Sequence, residues 1–165
     1  MEIRPFQKSD LQPLFVYWQT IGEKVPYFYP VSLEKWRACL LHDTLDGEPK
    51  FIAQKIYVAA ENGTIIGFVQ GVQSAYGWNE KGEKYSDDQI GIIRHFYYEE
   101  GREEAGKQLM DKIEPFINQF PQKYAFYHIF GMRCNAHHGK LHERLWHVEP
   151  YLLAKGFERE RKSQK

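Results

Sequence analysis

The dipeptide Asn62-Gly63, set between two apolar runs, constrains this chain more than any other feature. Ile56-Tyr57-Val58-Ala59-Ala60 precedes it and Thr64-Ile65-Ile66-Gly67-Phe68-Val69 follows. Both turn residues tolerate positive φ, so Glu61-Asn62-Gly63 predicts a tight antiparallel hairpin. Strands this apolar need cover, and segments of helical period lie on either side of them in sequence. A mixed sheet with helices on both faces is the simplest packing.

The remaining elements follow from period and punctuation. Glu2 to Pro5 reads as a strand, and Ser9 offers an N-cap to a helix carrying Leu11, Leu14, Phe15, Trp18 and Ile21. Pro13 falls in that helix's first turn, where its missing N–H costs little, and Gly22 ends it. After the aromatic, proline-bounded loop Val25 to Pro30, Ser32 caps a second helix with Leu33, Trp36, Leu40 and Leu41, fading near Asp43. Residues 77 to 88 read as a loop, and Gln89 to Tyr98 as a strand. An amphipathic helix is predicted from Arg102 to Phe120, with Leu109, Ile113, Phe116, Ile117 and Phe120 inward and a kink at Pro115. Tyr124 to Met132 reads as an aromatic strand. A last helix from Gly139 carries Leu141, Leu145, Val148 and Leu152, with Pro150 expected to interrupt it. Gly156 stops it, and Phe157 to Arg161 begins a final strand. The fold class is α/β (α+β), in the order β-α-α-β-β-β-α-β-α-β, as one domain over residues 1–165.

Composition narrows the function. Lys plus Arg and Asp plus Glu both number 22, a balance that argues against nucleic acid as the main partner. No run approaches the roughly 20 apolar residues that cross a bilayer. The start Met1-Glu2-Ile3-Arg4-Pro5 lacks a signal-peptide layout, and Cys39 and Cys134 suggest no disulfide framework. The expectation is a cytoplasmic protein with no membrane partner. Aromatic content of 16% fits a large aromatic core and equally a pocket with aromatic walls.

Three stretches, in this order and spacing, resemble the GNAT N-acetyltransferase family. Ile3-Arg4-Pro5-Phe6 with Asp10-Leu11 and Leu14 is similar to the family's first strand and helix. The hairpin Glu61 to Val69 is similar to its second and third strands, and Leu152-Leu153-Ala154-Lys155-Gly156-Phe157 to its last helix running into Gly-Phe. The resemblance implies acetyl-CoA as co-substrate, with its pyrophosphate on the turn Gly101-Arg102-Glu103-Glu104-Ala105-Gly106-Lys107 at a helix N-terminus, where free N–H groups and a partial positive charge suit an anion. Gly106 fills the motif's second glycine position, Glu104 replaces the first, and Gly101 stands where Arg or Gln is usual. Glu103 and Glu104 bring two negative charges near the ligand and equally suit a helix's first turn. The preceding strand, at Phe96 and Tyr98, and Asn135 after the next strand are further cofactor-binding positions that the resemblance implies.

Transfer to an amine imposes its own requirements. An amine of pKa about 10.4 is protonated at pH 7, a barrier of roughly 4–5 kcal/mol that a general base must relieve. His95, Glu99 and Glu100 are the base candidates. The family's acid is a tyrosine four residues before the Gly of Gly-Phe; Leu152 holds that position, and Tyr151 beside it is the acid candidate. His137, His138, His142 and His147 cluster with Glu143, and His138 and His142 share a helix face at i,i+4. No glutamate directly follows the first histidine as a zinc protease needs, and no metal is expected.

The reading is an acetyl-CoA-dependent N-acetyltransferase whose acceptor is the amine of a small molecule, amino acid or peptide. A second is a degenerate GNAT domain acting as a non-catalytic acyl-CoA-binding or protein-interaction module. A third is an unrelated α/β fold. The family's final strand has no clear counterpart, so a homodimer or a missing second domain is the expected means of covering the sheet edge.

Overall fold

A computed structural model of the chain describes residues 1–23, 31–45, 47–125 and 147–157. The predicted hairpin is its centre. Strands β1 (Glu2–Pro5), β4 (Phe51–Glu61), β5 (Thr64–Ser74), β8 (Ile90–Tyr98) and β9 (Gln122–Ala125) form one sheet in the order β1-β4-β5-β8-β9. All neighbours are antiparallel except β8 and β9. Asn62 and Gly63 turn β4 into β5 with φ of 52° and 79°, the double positive φ of a type I′ turn. Every residue of β8 is buried, Arg94 and His95 included.

Two small ladders lie outside this sheet: β2 (Thr44–Leu45) with β3 (Glu48–Pro49), and β6 (Tyr76–Trp78) with β7 (Lys84–Ser86). The second corrects the loop expected over 77 to 88. Its turn is closed by the Asn79 carboxamide, which accepts from the N–H groups of Lys81 and Glu83 at 2.9 Å.

Helices cover both faces. On one lie α1 (Leu11–Gly22) and α2 (Leu33–His42), with Phe15, Trp18 and Trp36 in mutual ring contact at 5.5–6.2 Å. The Phe68 ring of β5 meets Tyr17 edge-on. On the other lies α3 (Glu103–Ile117), whose Leu109 and Ile113 sit directly over Gly67 and Gly71 of β5. The C-terminal end of α3 differs from expectation: it runs through Pro115 and stops at Ile117, with Asn118 N–H bonded to Glu114 O at 2.8 Å.

Caps show where sequence signals work. Ser32 caps α2 as expected, its Oγ accepting from Lys35 N–H at 3.1 Å. Ser9 does not cap α1; it lies inside a short 3-10 turn, Lys8–Asp10. Asp10 stands at the N-cap position of α1 without a side-chain bond to that helix; its carboxylate closes the 3-10 turn, accepting from Gln7 N–H at 2.8 Å and holding Arg4 through both oxygens at 2.6 and 2.7 Å. The Arg4 guanidinium, with Gln7 N–H adding to it, holds the Asp10 carboxyl below the usual carboxylate range against the opposing effect of burial. A depressed pKa supplies stability that is present above the unfolded value and lost as pH falls through the folded one. Asp10→Ala is therefore expected to cost about 2 kcal/mol at pH 7. The gap between parent and variant should close below about pH 4 in thermal melts run down an acid series.

In the last helix, α4 (Glu149–Ala154), Pro150 lies just after the start. The proline sits in the first turn, where its fixed φ suits a helix start. Phe157 N–H returns to Leu152 O and Gly156 N–H to Leu153 O, both at 3.1 Å, closing the helix as a Schellman motif. Residues 139–146 and 158–161, where the start of that helix and the final strand were expected, lie outside the described residues, as do 126–132 of the aromatic strand. No helix among the described residues is long and apolar enough to cross a membrane.

Candidate functional site

The site begins with an irregularity in β8. Gln70 pairs with His95 and Gly71 with Ile93, so Arg94 is an extra residue in the strand. A bulge of this kind bends a strand and re-aims the side chains beyond it. Before the bulge, Ile90–Ile93 pair with β9; beyond it, His95 to Tyr98 continue along β5.

Arg94 fixes the bulge from below. Its guanidinium reaches Asp43 Oδ2 at 3.1 Å and the carbonyls of Cys39 and Leu40 at 3.3 Å. Lys50 Nζ meets the same Asp43 oxygen at 2.9 Å. Gln70 donates to Leu40 O at 2.7 Å and Gln54 to Leu41 O at 3.0 Å. The last carbonyls of α2 are thus satisfied by side chains of three strands, an unusual end for a helix with no capping turn.

Beyond Tyr98 the chain turns sharply into α3. Arg102 N–H closes the turn on Glu99 O at 2.9 Å, and Gly101 takes φ +87° within it, a conformation that disfavours any residue with a Cβ. The first N–H to bond inside the helix is that of Ala105, to Arg102 O at 3.0 Å. The N–H groups of Glu103 and Glu104 precede it, as at every helix start.

A cavity of about 430 Å³ lies at this end of β8. Tyr17, Thr20 and Ile21 of α1, with Glu23 just beyond, form one wall. Tyr97, Tyr98, Glu99 and Glu100 form another, and His147 closes it before α4. Among the described residues, three carboxylates line it and no lysine or arginine does. Burial, then the Glu99 charge and the neighbouring Tyr97, push the Tyr17 hydroxyl well above the ordinary tyrosine value.

The candidates chosen from sequence fall in different places. Glu99, Glu100 and Tyr98 line the cavity. His95 does not: it is 1% exposed, in tilted ring contact with Phe68 and Tyr97 at 5.5 and 5.8 Å. Phe96 is fully buried on the α3 face against Tyr98. Tyr151 packs edge-on against Tyr98 at 5.8 Å, and its hydroxyl donates to Glu103 O at 3.0 Å. Burial, then Glu103 and Glu104, raise its pKa, so the phenol keeps its proton at neutral pH. Leu152 is core, 5% exposed.

In the turn, Arg102 is held by an ion pair to Glu61 at the end of β4, each raising or lowering the other's pKa through that bond. Glu103 and Glu104 occupy the first turn of α3, and Glu104 accepts from Gln108 at 2.8 Å. Ala105 is buried and Lys107 exposed. Gly106 has a packing role: a Cβ there would lie 2.5 Å from the Tyr98 ring. Asn135, with His137, His138, His142 and Glu143, lies outside the described residues. No three His, Cys, Asp or Glu side chains among the described residues gather as a metal site would need.

Sequence reasoning missed Tyr17, Thr20, Glu23 and Tyr97. Tyr17, Thr20 and Ile21 share one helix face at i,i+3,i+4, a signal available from spacing alone. His147 was noticed only within a histidine cluster; its place against Tyr98 depends on the path of the chain.

No protein-family model matches the sequence, and no curated protein matches it. Solved structures do match in shape. A ribosomal-protein-alanine N-acetyltransferase from Brucella melitensis biovar Abortus 2308 superposes with a TM-score of 0.57, covering 100% of this chain and 98% of its own at 11% identity. An aminoglycoside 6′-N-acetyltransferase from Acinetobacter haemolyticus gives 0.58, covering 100% and 96% at 11% identity. An aminoglycoside N-acetyltransferase in complex with CoA gives 0.56, covering 98% and 95% at 11% identity. These likenesses contradict the reading as an unrelated α/β fold. With its bulged strand running into a turn and helix at the mouth of a cavity, the chain has the fold of the GNAT N-acetyltransferases.

Proposed function

We propose that this chain is an acetyl-CoA-dependent N-acetyltransferase acting on the amine of a small molecule, amino acid or peptide. The observation that carries the reading is the cavity at the end of β8, where three carboxylates meet the turn that starts α3. Glu23, Glu99 and Glu100 set a local negative charge in a chain whose net charge is zero. Such a lining favours a cationic ligand such as an ammonium group.

Acetyl-CoA fits the backbone of the turn better than its side chains. The turn's glycine is open, with nothing within 4 Å of a Cβ built at Gly101, and the N–H groups of Glu103 and Glu104 lie ahead of the first helical bond. These amides would hold the pyrophosphate. When bound, acetyl-CoA supplies an activated acetyl thioester. The chain's own residues would bind the acceptor through the cavity carboxylates, exclude water with Tyr17, Tyr97 and Tyr98, and keep a phenolic proton at Tyr151. Glu99, a base candidate from the sequence, is one of those cavity carboxylates.

The second reading, a non-catalytic acyl-CoA-binding or protein-interaction module, is favoured by Glu103 and Glu104 in the first turn and by Leu152 in the core. Release of free thiol from acetyl-CoA, followed over a panel of primary amines with the parent protein, separates the two. Amine-dependent release supports the enzyme. Tight acetyl-CoA binding without release for any amine supports the module.

A further inference from the structure

The Tyr98–His147 pair is bonded in both directions. The Tyr98 hydroxyl donates to His147 O at 2.5 Å, and His147 Nε2 lies 2.7 Å from Tyr98 O. The two rings meet edge-on at 4.9 Å. A backbone carbonyl has no proton to give, so Nε2 must carry the hydrogen in that contact. In the neutral ring the lone pair is then on Nδ1. His147 lines the cavity, and no other imidazole among the described residues does.

Resting on the acetyltransferase reading, we infer that His147 is the general base of the cavity, its tautomer fixed by the carbonyl of the last residue of β8. Nδ1 takes a proton from the acceptor's ammonium group. The nitrogen lone pair is thereby freed for attack, and the imidazolium passes the proton on to water. The arrangement has the parts such a base needs: a ring orienter that does not titrate, a nitrogen left basic, and a place in the cavity wall. Among the described residues, the titratable and charged groups near it are Tyr97 and Tyr98 of β8, Glu99 and Glu100 of the turn, Tyr17 and Glu23 at α1, and Glu149 and Tyr151 of α4.

Two measurements test this. In the free protein, nitrogen NMR of the histidine rings across pH 5 to 9 should show neutral His147 protonated at Nε2. Protonation at Nδ1 would overturn the assignment without reference to acetyl-CoA. In turnover, His147→Ala should lose about 10²-fold in kcat/KM together with the acidic limb of the pH profile. Added imidazole should restore at least part of that rate, while acetyl-CoA affinity stays within about twofold, as expected of a lost proton acceptor and not of a lost fold. A folded His147→Ala that keeps the parent rate and pH profile overturns the base assignment alone. No turnover by the parent with any amine overturns the acetyltransferase reading and the base with it.

Discussion

Asp43→Ala is expected to cost about 3–5 kcal/mol of stability. Asp43 is 5% exposed and is the carboxylate for two buried cations, Lys50 at 2.9 Å and Arg94 at 3.1 Å. Removing it leaves both cations without that charge in a region sealed from water. Arg94 also holds the α2 carbonyls and is the extra residue of the β8 bulge, so the loss reaches the strand that forms the cavity wall. Denaturant unfolding at neutral pH should show a lower midpoint with an unchanged slope. Asp43→Asn keeps the shape and loses the charge, and should fall between parent and alanine. A midpoint shift below about 1 kcal/mol for the alanine variant would show that the cluster contributes little.

The second large effect is Tyr98→Ala, expected to cost about 3–5 kcal/mol, as for other large aromatic truncations in a core. The ring is 2% exposed and fills the space that Gly106 leaves, while touching Phe96, Tyr151 and His147. Its hydroxyl ties the segment before α4 to the sheet. Burial, then Tyr151 and Glu103, push that hydroxyl above the ordinary tyrosine range, so it remains a donor at neutral pH. Tyr98→Phe keeps the packing and loses that bond, and should cost about 1–2 kcal/mol. Thermal melts of the two variants separate packing from hydrogen bonding. Equal losses would show that the hydroxyl and not the ring holds the site together.

Much of the fold was legible because it rests on local rules. Asn62-Gly63 fixed the central hairpin through backbone conformation alone, and Ser32 and Gly156 marked helix ends for equally local reasons. The α3 face was readable from Leu109, Ile113 and Ile117 at helical spacing. Buried polar residues were not. Gln54, Gln70 and Arg94 in apolar strands gave no sign that they would satisfy the end of α2, because that pairing joins residues up to 55 apart in sequence.

The same cause limits the site. His95 looked suited to catalysis by type and position, but the bulge turns it toward Phe68, and a bulge leaves no mark on apolar alternation. Gly106 was readable as a phosphate-turn glycine, yet its packing against Tyr98 accounts for the missing side chain without a ligand. Pro150, read as interrupting a longer helix, lies in the first turn of α4, and residues 139–146 ahead of it are outside the described residues. The shared face of Tyr17, Thr20 and Ile21 was readable from spacing, but its place with Glu23 over the end of β8 was not.

The most direct test of the account is calorimetric titration of the folded protein with acetyl-CoA, in parallel with Gly101→Val and with the double variant Glu103→Gln, Glu104→Gln. Gly101 holds φ +87° with open space around it, so valine strains the turn by roughly 1–3 kcal/mol without crowding the core. The account predicts micromolar binding by the parent and a loss of at least about tenfold on Gly101→Val. Binding should tighten about threefold or more when the two first-turn carboxylates are neutralised. Absence of binding by folded parent protein, or affinities unmoved by either change, would contradict the placement of acetyl-CoA on this turn.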